Sequence, residues 1–165
     1  MARVALVSDT HVPRFAKRLP RAIERIVQEA PTHVLHCGDL TDLEALVPLM
    51  QLAPFDAVAG NNDGPAIIDR FGRRKIVDIA GTRIGLIHGD GTRGTTHERA
   101  RAAFAHERVD VIVFGHSHVP SCTNIDGVWV VNPGSPTDKR RRPKYSFAVL
   151  DIDADGCVPR LIFFL

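Results

Sequence analysis

The chain of 165 residues has 44% hydrophobic and 24% charged side chains, which suits one globular core and leads to the expectation of a single domain over residues 1–165. No apolar stretch approaches the ~18 residues of a membrane span, and the first apolar run, 3–7, is too short for a secretion signal, so a cytoplasmic protein is expected. The net charge of +2 is no strong pointer to nucleic acid, because Lys139, Arg140, Arg141, Arg142 and Lys144 supply five of the 21 basic residues. Such a run reads first as a solvated loop and second as a contact for a polyanionic substrate. The three cysteines, Cys37, Cys122 and Cys157, are far apart and odd in number, which argues against both a disulfide framework and a thiolate zinc site.

In chain order, a β-branched run at 3–7 predicts the first strand. Leu19, Ile23, Ile26, Val27 and Ala30 recur at helical spacing behind it, with Pro20 placed to open that helix. A strand at 33–36 precedes Thr41-x-x-Glu44, which reads as a capping box for a second helix. Further strands are expected at 57–59, 75–79 and 82–87, then a helix capped by Thr95-x-x-Glu98, then strands at 110–114, 128–131, 145–152 and 158–164. Alternating strands and helices give an α/β fold, and turn signals at Ala80-Gly81-Thr82, Ile125-Asp126-Gly127 and Ala154-Asp155-Gly156 make the later sheet partly antiparallel.

The chemistry is concentrated just past the ends of the strands. The first runs into Ser8-Asp9-Thr10-His11; in an extended backbone residues two apart point the same way, so Asp9 and His11 are expected to grip one ion together. The next four motifs are Cys37-Gly38-Asp39, Gly60-Asn61-Asn62-Asp63, His88-Gly89-Asp90 and Gly115-His116-Ser117-His118. Any one is weak, since Gly-Asp and Gly-Asn are common turn pairs. The ordered set carries weight, because ligands at one end of an α/β sheet converge where such folds bind substrates. Gly38, Gly60, Gly89 and Gly115 each adjoin a candidate ligand, which is expected to let the chain turn sharply off the strand and let an ion, a water or a phosphate come close to the backbone.

This set resembles the calcineurin-like metallophosphoesterase superfamily, and the short length with Gly60-Asn61-Asn62-Asp63 is similar to its compact prokaryotic phosphodiesterase branch. The likeness runs through Asn132-Pro133-Gly134-Ser135, a tight turn at the same sheet end that is expected to buttress the metal loops rather than touch substrate, and covers nearly the whole chain. It implies a four-layer αββα fold, a sandwich of two mixed sheets flanked by helices. It implies Asp9, His11, Asp39 and His118 around one divalent ion and Asp39, Asn61, His88 and His116 around another, with Asp39 as the bridge. Such donors suit manganese, iron, zinc, nickel or cobalt, with manganese the first expectation. The implied activity is hydrolysis of a small phosphodiester by a metal-bridging hydroxide, with Asp39, Asn61 and His116 catalytic and with Asn61, Asn62, Arg14 and Arg93 near the substrate. Many relatives carry His where this chain has Asn62, and asparagine cannot protonate a leaving group; that role passes to a metal-bound water or, second, to His97.

Other readings are weaker. Gly89-Asp90-Gly91-Thr92-Arg93-Gly94 has the form of a dinucleotide fingerprint, but no acidic residue ends the following strand. His33, His36 and His106 read as structural, Cys37 as a core residue and Trp129 as packing. A non-catalytic, partner-binding scaffold of the same fold, like a retromer subunit, is the alternative; a retired site would have lost ligands, and here all seven are present. Nucleic acid as partner rests only on the basic run, and homo-oligomer formation is left open.

Overall fold

The computed structural model describes all 165 residues. Its first half contains β1 (Ala2–Val7), α1 (Leu19–Gln28), β2 (His33–His36), α2 (Leu43–Met50), β3 (Phe55–Ala57), α3 (Pro65–Phe71) and β4 (Arg74–Ile79). There follow β5 (Thr82–Ile87), α4 (Thr96–Ala103), β6 (Val111–Val113), β7 (Ser121–Ile125), β8 (Val128–Asn132), β9 (Tyr145–Asp153) and β10 (Gly156–Phe164). Two five-stranded sheets result, one ordered β10-β9-β1-β2-β3 and the other β4-β5-β6-β8-β7. Both are mixed: β1, β2 and β3 run parallel, as do β5, β6 and β8, while the remaining pairs are antiparallel.

The period-two alternation of strand side chains sorts the apolar residues into layers. From β1, Ala5 and Val7 face a core shared with Leu19, Ala22 and Ile26 of α1, Leu46 and Leu49 of α2, and Ile67 and Phe71 of α3. Val4 and Leu6 face the other way and meet Ile84 and Leu86 of β5 and Val111 and Val113 of β6 between the sheets. Strand β9 repeats the pattern, with Phe147 and Val149 outward and Ala148 and Leu150 inward. A smaller core, with Phe104, Ile112 and Phe114, lies under α4 on the far face of the second sheet. The order is helices, sheet, sheet, helix, so the expected αββα sandwich is observed.

The hairpin turns match their sequence signals: Ala80-Gly81 and Asp126-Gly127 take positive φ at both positions, the form that fits the twist of two-residue β-turns. Thr95 caps α4 in a complete capping box with Glu98. The Thr41 box does not form. Asp42 caps α2 instead, its carboxylate accepting from the backbone of Glu44 and Ala45, while Thr41 has φ 69° and hydrogen-bonds the Val12 carbonyl. The third strand lies two residues earlier than expected. Helix α3 was not anticipated, being only seven residues long, nor was β7, an edge strand whose Ser-Cys-Thr-Asn sequence lacks an apolar face. His106 lies beyond the end of α4 and is exposed.

His36 is fully buried and structural, as expected. The Gly38 amide donates to its Nδ1 at 3.1 Å, which puts the ring proton on Nε2, 3.0 Å from Thr10 Oγ1. Burial holds the ring neutral, down to about 3, against the raising influence of Asp9. The unfolded chain takes up a proton near 6.5 and the folded chain does not, so this stability is present above pH 6.5 and drains away as pH falls toward 3. In metal-free protein, His36→Gln is expected to flatten the loss of stability between pH 6 and 4 by about 1.4 kcal/mol per pH unit, measured by denaturant unfolding.

Candidate metal centre

Residues just beyond the strands of both sheets meet at one end of the sandwich. Asp9 and Asp39 are 0% and 2% exposed, an arrangement that needs compensating positive charge. Around them, His11 Nε2 lies 3.7 Å from Asp9 Oδ1 and 3.4 Å from Asp39 Oδ2. His88 Nε2 lies 3.8 Å and 3.3 Å from the same two oxygens, and His118 Nε2 lies 3.4 Å from Asp9 Oδ1. These separations are long for charge-assisted hydrogen bonds. They match two donors sharing one ion, since ligands at 2.0–2.2 Å from a cation sit ~3–3.5 Å from each other. Asp9 Oδ1 and the Nε2 atoms of His11, His88 and His118 are buried without any hydrogen-bond partner. Two groupings can hold a cation, Asp9 with His11 and His118, and Asp9 with Asp39 and His88.

The opposite ring atoms explain why Nε2 is free. His88 Nδ1–H donates to the Cys37 carbonyl at 2.7 Å and His118 Nδ1–H to the Asp138 carbonyl at 2.7 Å, which turns the Nε2 lone pairs toward the carboxylates. Asp9 is held through Oδ2, which accepts from Ser8 Oγ at 2.8 Å and from the His116 amide at 2.9 Å. Asp39 is gripped by Asn62, whose amide and side-chain nitrogen donate to its two oxygens at 2.9 and 2.8 Å.

The local backbone corrects one expectation. Strand β1 ends at Val7, and Asp9 and His11 are not extended: both take positive φ, 57° and 46°, as do Asp39, His116 and His118 at 58°, 68° and 59°. Each such turn costs a non-glycine residue about 1–2 kcal/mol. Hydrogen bonds hold them in place, among them Asp9 N to the Gly38 carbonyl and His11 N to the Asp39 carbonyl, both 3.0 Å. Of the neighbouring glycines, Gly38 and Gly89 take positive φ, 100° and 93°, and make the sharp turns expected, whereas Gly60 and Gly115 have another cause. A Cβ at Gly60 would collide with the Asp39 carboxylate, and one at Gly115 with Ser8 Oγ and, at 2.6 Å, Asp9 Oδ2. Glycine is required there because the protein's own carboxylates fill the space.

The remaining candidates divide. His116 and Asn61 sit at the mouth, Nδ1 of one 3.2 Å from Oδ1 of the other, outside both buried groupings. Asn62 is turned onto Asp39. Arg14 is exposed with its guanidinium over Phe15, which lies edge-on to His11. The exposed Arg93 contributes its carbonyl to Arg99, which also clasps the carbonyls of Gly89 and Gly94 and so shapes the loop behind His88. His97 packs edge-on to Phe114 and approaches Thr123. Cys37 is buried in the core between the sheets, where burial pushes its thiol pKa up. Sequence reasoning missed Asp63: its carboxylate accepts from the backbone N–H of Asp39, Gly60 and Thr41 at 2.7–2.8 Å and of Leu40 at 3.3 Å. The Asn132-Pro133-Gly134-Ser135 turn buttresses the metal loops as expected, the Ser135 hydroxyl holding the Asp9 carbonyl; sequence reasoning missed Thr137, whose hydroxyl holds the Thr10 carbonyl.

The electrostatics describe a site that attracts cations. Burial pushes the Asp9 carboxyl up, yet the facing imidazoles of His11 and His118 and the charge of His88 prevail and hold it far below the usual carboxylate range. Asp39 is likewise opposed by burial and held at about 2 by His88 and Asn62. Burial lowers His88, but Asp39 and Asp9 raise it to about 9; His118 also rises, because Asp9 outweighs burial. His116 shifts down through burial and then the charge of His88.

A two-sheet sandwich with aspartates and histidines gathered at one end places the chain among proteins of the metallophosphoesterase fold. The chain belongs to the calcineurin-like phosphoesterase superfamily, whose domain model matches residues 2–155. A probable metallophosphoesterase of Methanothermobacter thermautotrophicus is 35% identical over 153 residues, covering 92% of this chain and 87% of that protein. A phosphodiesterase of Methanocaldococcus jannaschii is 30% identical over 141 residues, covering 80% and 82%. The crystal structure of Vps29 from Chaetomium thermophilum superposes with a TM-score of 0.78 over 99% of this chain and 98% of its own; at 20% identity it bears on the fold alone.

The Asp63 clamp gives a test of how the centre is held. Asp63→Ala leaves four backbone amides without their acceptor and is expected to lower stability by roughly 3–5 kcal/mol in denaturant unfolding. Asp63→Asn, which keeps one acceptor oxygen, is expected to lose about half of that.

Proposed function

We propose that the protein is a metal-dependent phosphodiesterase, one domain over residues 1–165, that hydrolyses small phosphodiesters with two divalent ions, manganese foremost. The observation that carries this reading is the set of four buried polar atoms without partners, Asp9 Oδ1 and Nε2 of His11, His88 and His118, all within one centre. Buried polar groups are otherwise satisfied, and nitrogen and carboxylate donors in this state fit a divalent cation. The relative named a phosphodiesterase supports the diester class.

In this reading Asp9, His11, Asp39, His88 and His118 hold the ions from below, and Asn61 and His116 complete the set from the mouth. Bound there, divalent ions supply Lewis acidity, charge against the phosphoryl oxygens and acidified water. Asp9 belongs to both candidate groupings, while Asp39 Oδ2 stands between His11 and His88, which suits the bridging role assigned to Asp39. In this reading the phosphoryl charge is met by the Asn61 carboxamide, which faces His116 at the mouth, and by Arg14, which lies over Phe15 beside His11. Asn62 offers no proton to a leaving group; by fixing both oxygens of Asp39 it acts as a positioning residue, so esters with good leaving groups are favoured. A second reading is a non-catalytic scaffold of the same fold, since an architecture does not by itself carry catalysis. The complete and unpaired donor set weighs against it.

Chelated protein refilled separately with manganese, nickel, zinc or magnesium is expected to cleave bis-p-nitrophenyl phosphate faster than p-nitrophenyl phosphate. Inertness with every metal favours the scaffold. Asp39→Asn is expected to lose metal by elemental analysis and to lower diester hydrolysis roughly 100-fold or more, since loss of a mere supporting group costs 10–100-fold; full retention of both removes Asp39 from the centre. Because His88 is raised to about 9 in the metal-free chain, its imidazole carries an extra proton at pH 7 that an ion must displace. Calorimetry in buffers of different ionisation enthalpy is expected to show proton release on metal uptake at pH 7 and weaker uptake at pH 6.

A further inference from the structure

Beside the metal centre lies a second cleft, of about 320 Å³, lined by Ser117, His118, Val119, Arg140, Arg141 and Arg142. His118 forms a wall of both: its Nε2 faces Asp9, and its Nδ1 holds the Asp138 carbonyl at the root of the basic loop. That loop is fastened in place. The Asp138 amide donates to Ser135 Oγ at 2.8 Å, the same hydroxyl that holds the Asp9 carbonyl, and a turn is closed by Arg142 N to the Lys139 carbonyl at 2.9 Å. Lys139 is drawn away from the group, its ammonium hydrogen-bonded to the Arg142 carbonyl and lying over the Tyr145 ring.

The three guanidiniums are left without partners. Arg3, Arg21, Arg74 and Arg160 pair with carboxylates and Arg99 clasps backbone carbonyls. Exposed arginines such as Arg73, Arg101 and Arg108 are unpaired too, but Arg140, Arg141 and Arg142 line one cleft together. No carboxylate or carbonyl accepts from the side chains of Arg140, Arg141 or Arg142, and the one acid at the loop root, Asp138, is turned to His118 and to the Arg140 amide. Three adjacent guanidiniums on a fastened loop have the charge and the fork-shaped donors for a phosphate dianion. One arginine would serve a carboxylate.

We propose that this cleft is a second-phosphate subsite, so that the preferred substrate is a small phosphodiester carrying an additional phosphomonoester on one arm, as in a nucleoside 3′,5′-bisphosphate ester. The inference rests on the phosphodiesterase reading for the scissile group and adds to it the recognition of the neighbouring one. Arg140, Arg141 and Arg142 are specificity residues here and take no part in bond cleavage.

The test compares two esters with the same nucleoside and leaving group, thymidine 5′-(p-nitrophenyl phosphate) with and without a 3′-phosphate, on manganese-loaded full-length protein. The 3′-phosphorylated ester is expected to be favoured in kcat/KM by about tenfold or more, mainly through KM. In the triple variant Arg140→Ala, Arg141→Ala, Arg142→Ala that ratio is expected to fall to about one, and in the triple lysine variant to be partly kept. A ratio that the alanine variant leaves unchanged overturns the proposal.

A readout independent of turnover is calorimetric binding of thymidine 3′,5′-bisphosphate and thymidine 5′-monophosphate to the metal-free chain. The bisphosphate is expected to bind about tenfold more tightly, with the advantage lost in the alanine variant. Equal affinities overturn the subsite even where both esters are cleaved. Should neither ester be cleaved with any metal while the arginine-dependent preference persists, the hydrolytic reading fails and the subsite stands.

Discussion

Two carboxylates, Asp9 and Asp39, lie side by side in a place that water hardly reaches, and most of the surrounding structure answers to that constraint. Burying like charges together is costly unless positive charge and hydrogen bonds meet them. Three imidazole nitrogens face them, Ser8 and the His116 amide hold one, and Asn62 holds the other. The five left-handed residues and the two glycines pressed against carboxylates arise from the same demand for close approach. Local backbone strain is kept where the surrounding hydrogen bonds over-determine it.

The centre also ties the two sheets together. Asp9, His11 and Asp39 come after strands of the first sheet, whereas His88, His116 and His118 come after strands of the second. Their meeting depends on the layer between, where Val4 and Leu6 pack against Ile84, Leu86, Val111 and Val113. A sub-ångström slip of one sheet over the other would change every separation across the site, and a close-packed interior resists such slippage. Hydrophobic packing and electrostatics thus support one geometry.

Much of this was legible in the sequence because it is written locally. The apolar runs at 3–7 and 145–152 marked strands buried on both faces, and the five motifs marked the ends from which the donors come. What escaped is what depends on partners distant in the chain. Asp63 reads as a turn residue until Asp39, Leu40 and Thr41 are brought to it from more than twenty positions away. Thr137 reads as a loop residue until the Thr10 carbonyl meets it across 127 positions. Extended geometry was the natural reading of Asp-x-His, but the left-handed turns are set by hydrogen bonds to the Gly38 and Asp39 carbonyls, which no periodicity reports. Strand β7 was hidden by its polar, edge-strand composition and is identified only by pairing with β8.

The wide spacing of the donors along the chain bears on how a newly made molecule selects its metal. Asp9 emerges early in synthesis and His118 late, and the two meet only where β1 of one sheet and β6 of the other end side by side. A nascent chain therefore offers dissolved ions only isolated pairs such as Asp9 with His11, too few to retain a divalent cation for long. Discrimination among competing metals falls to the finished cage, after translation has passed it by.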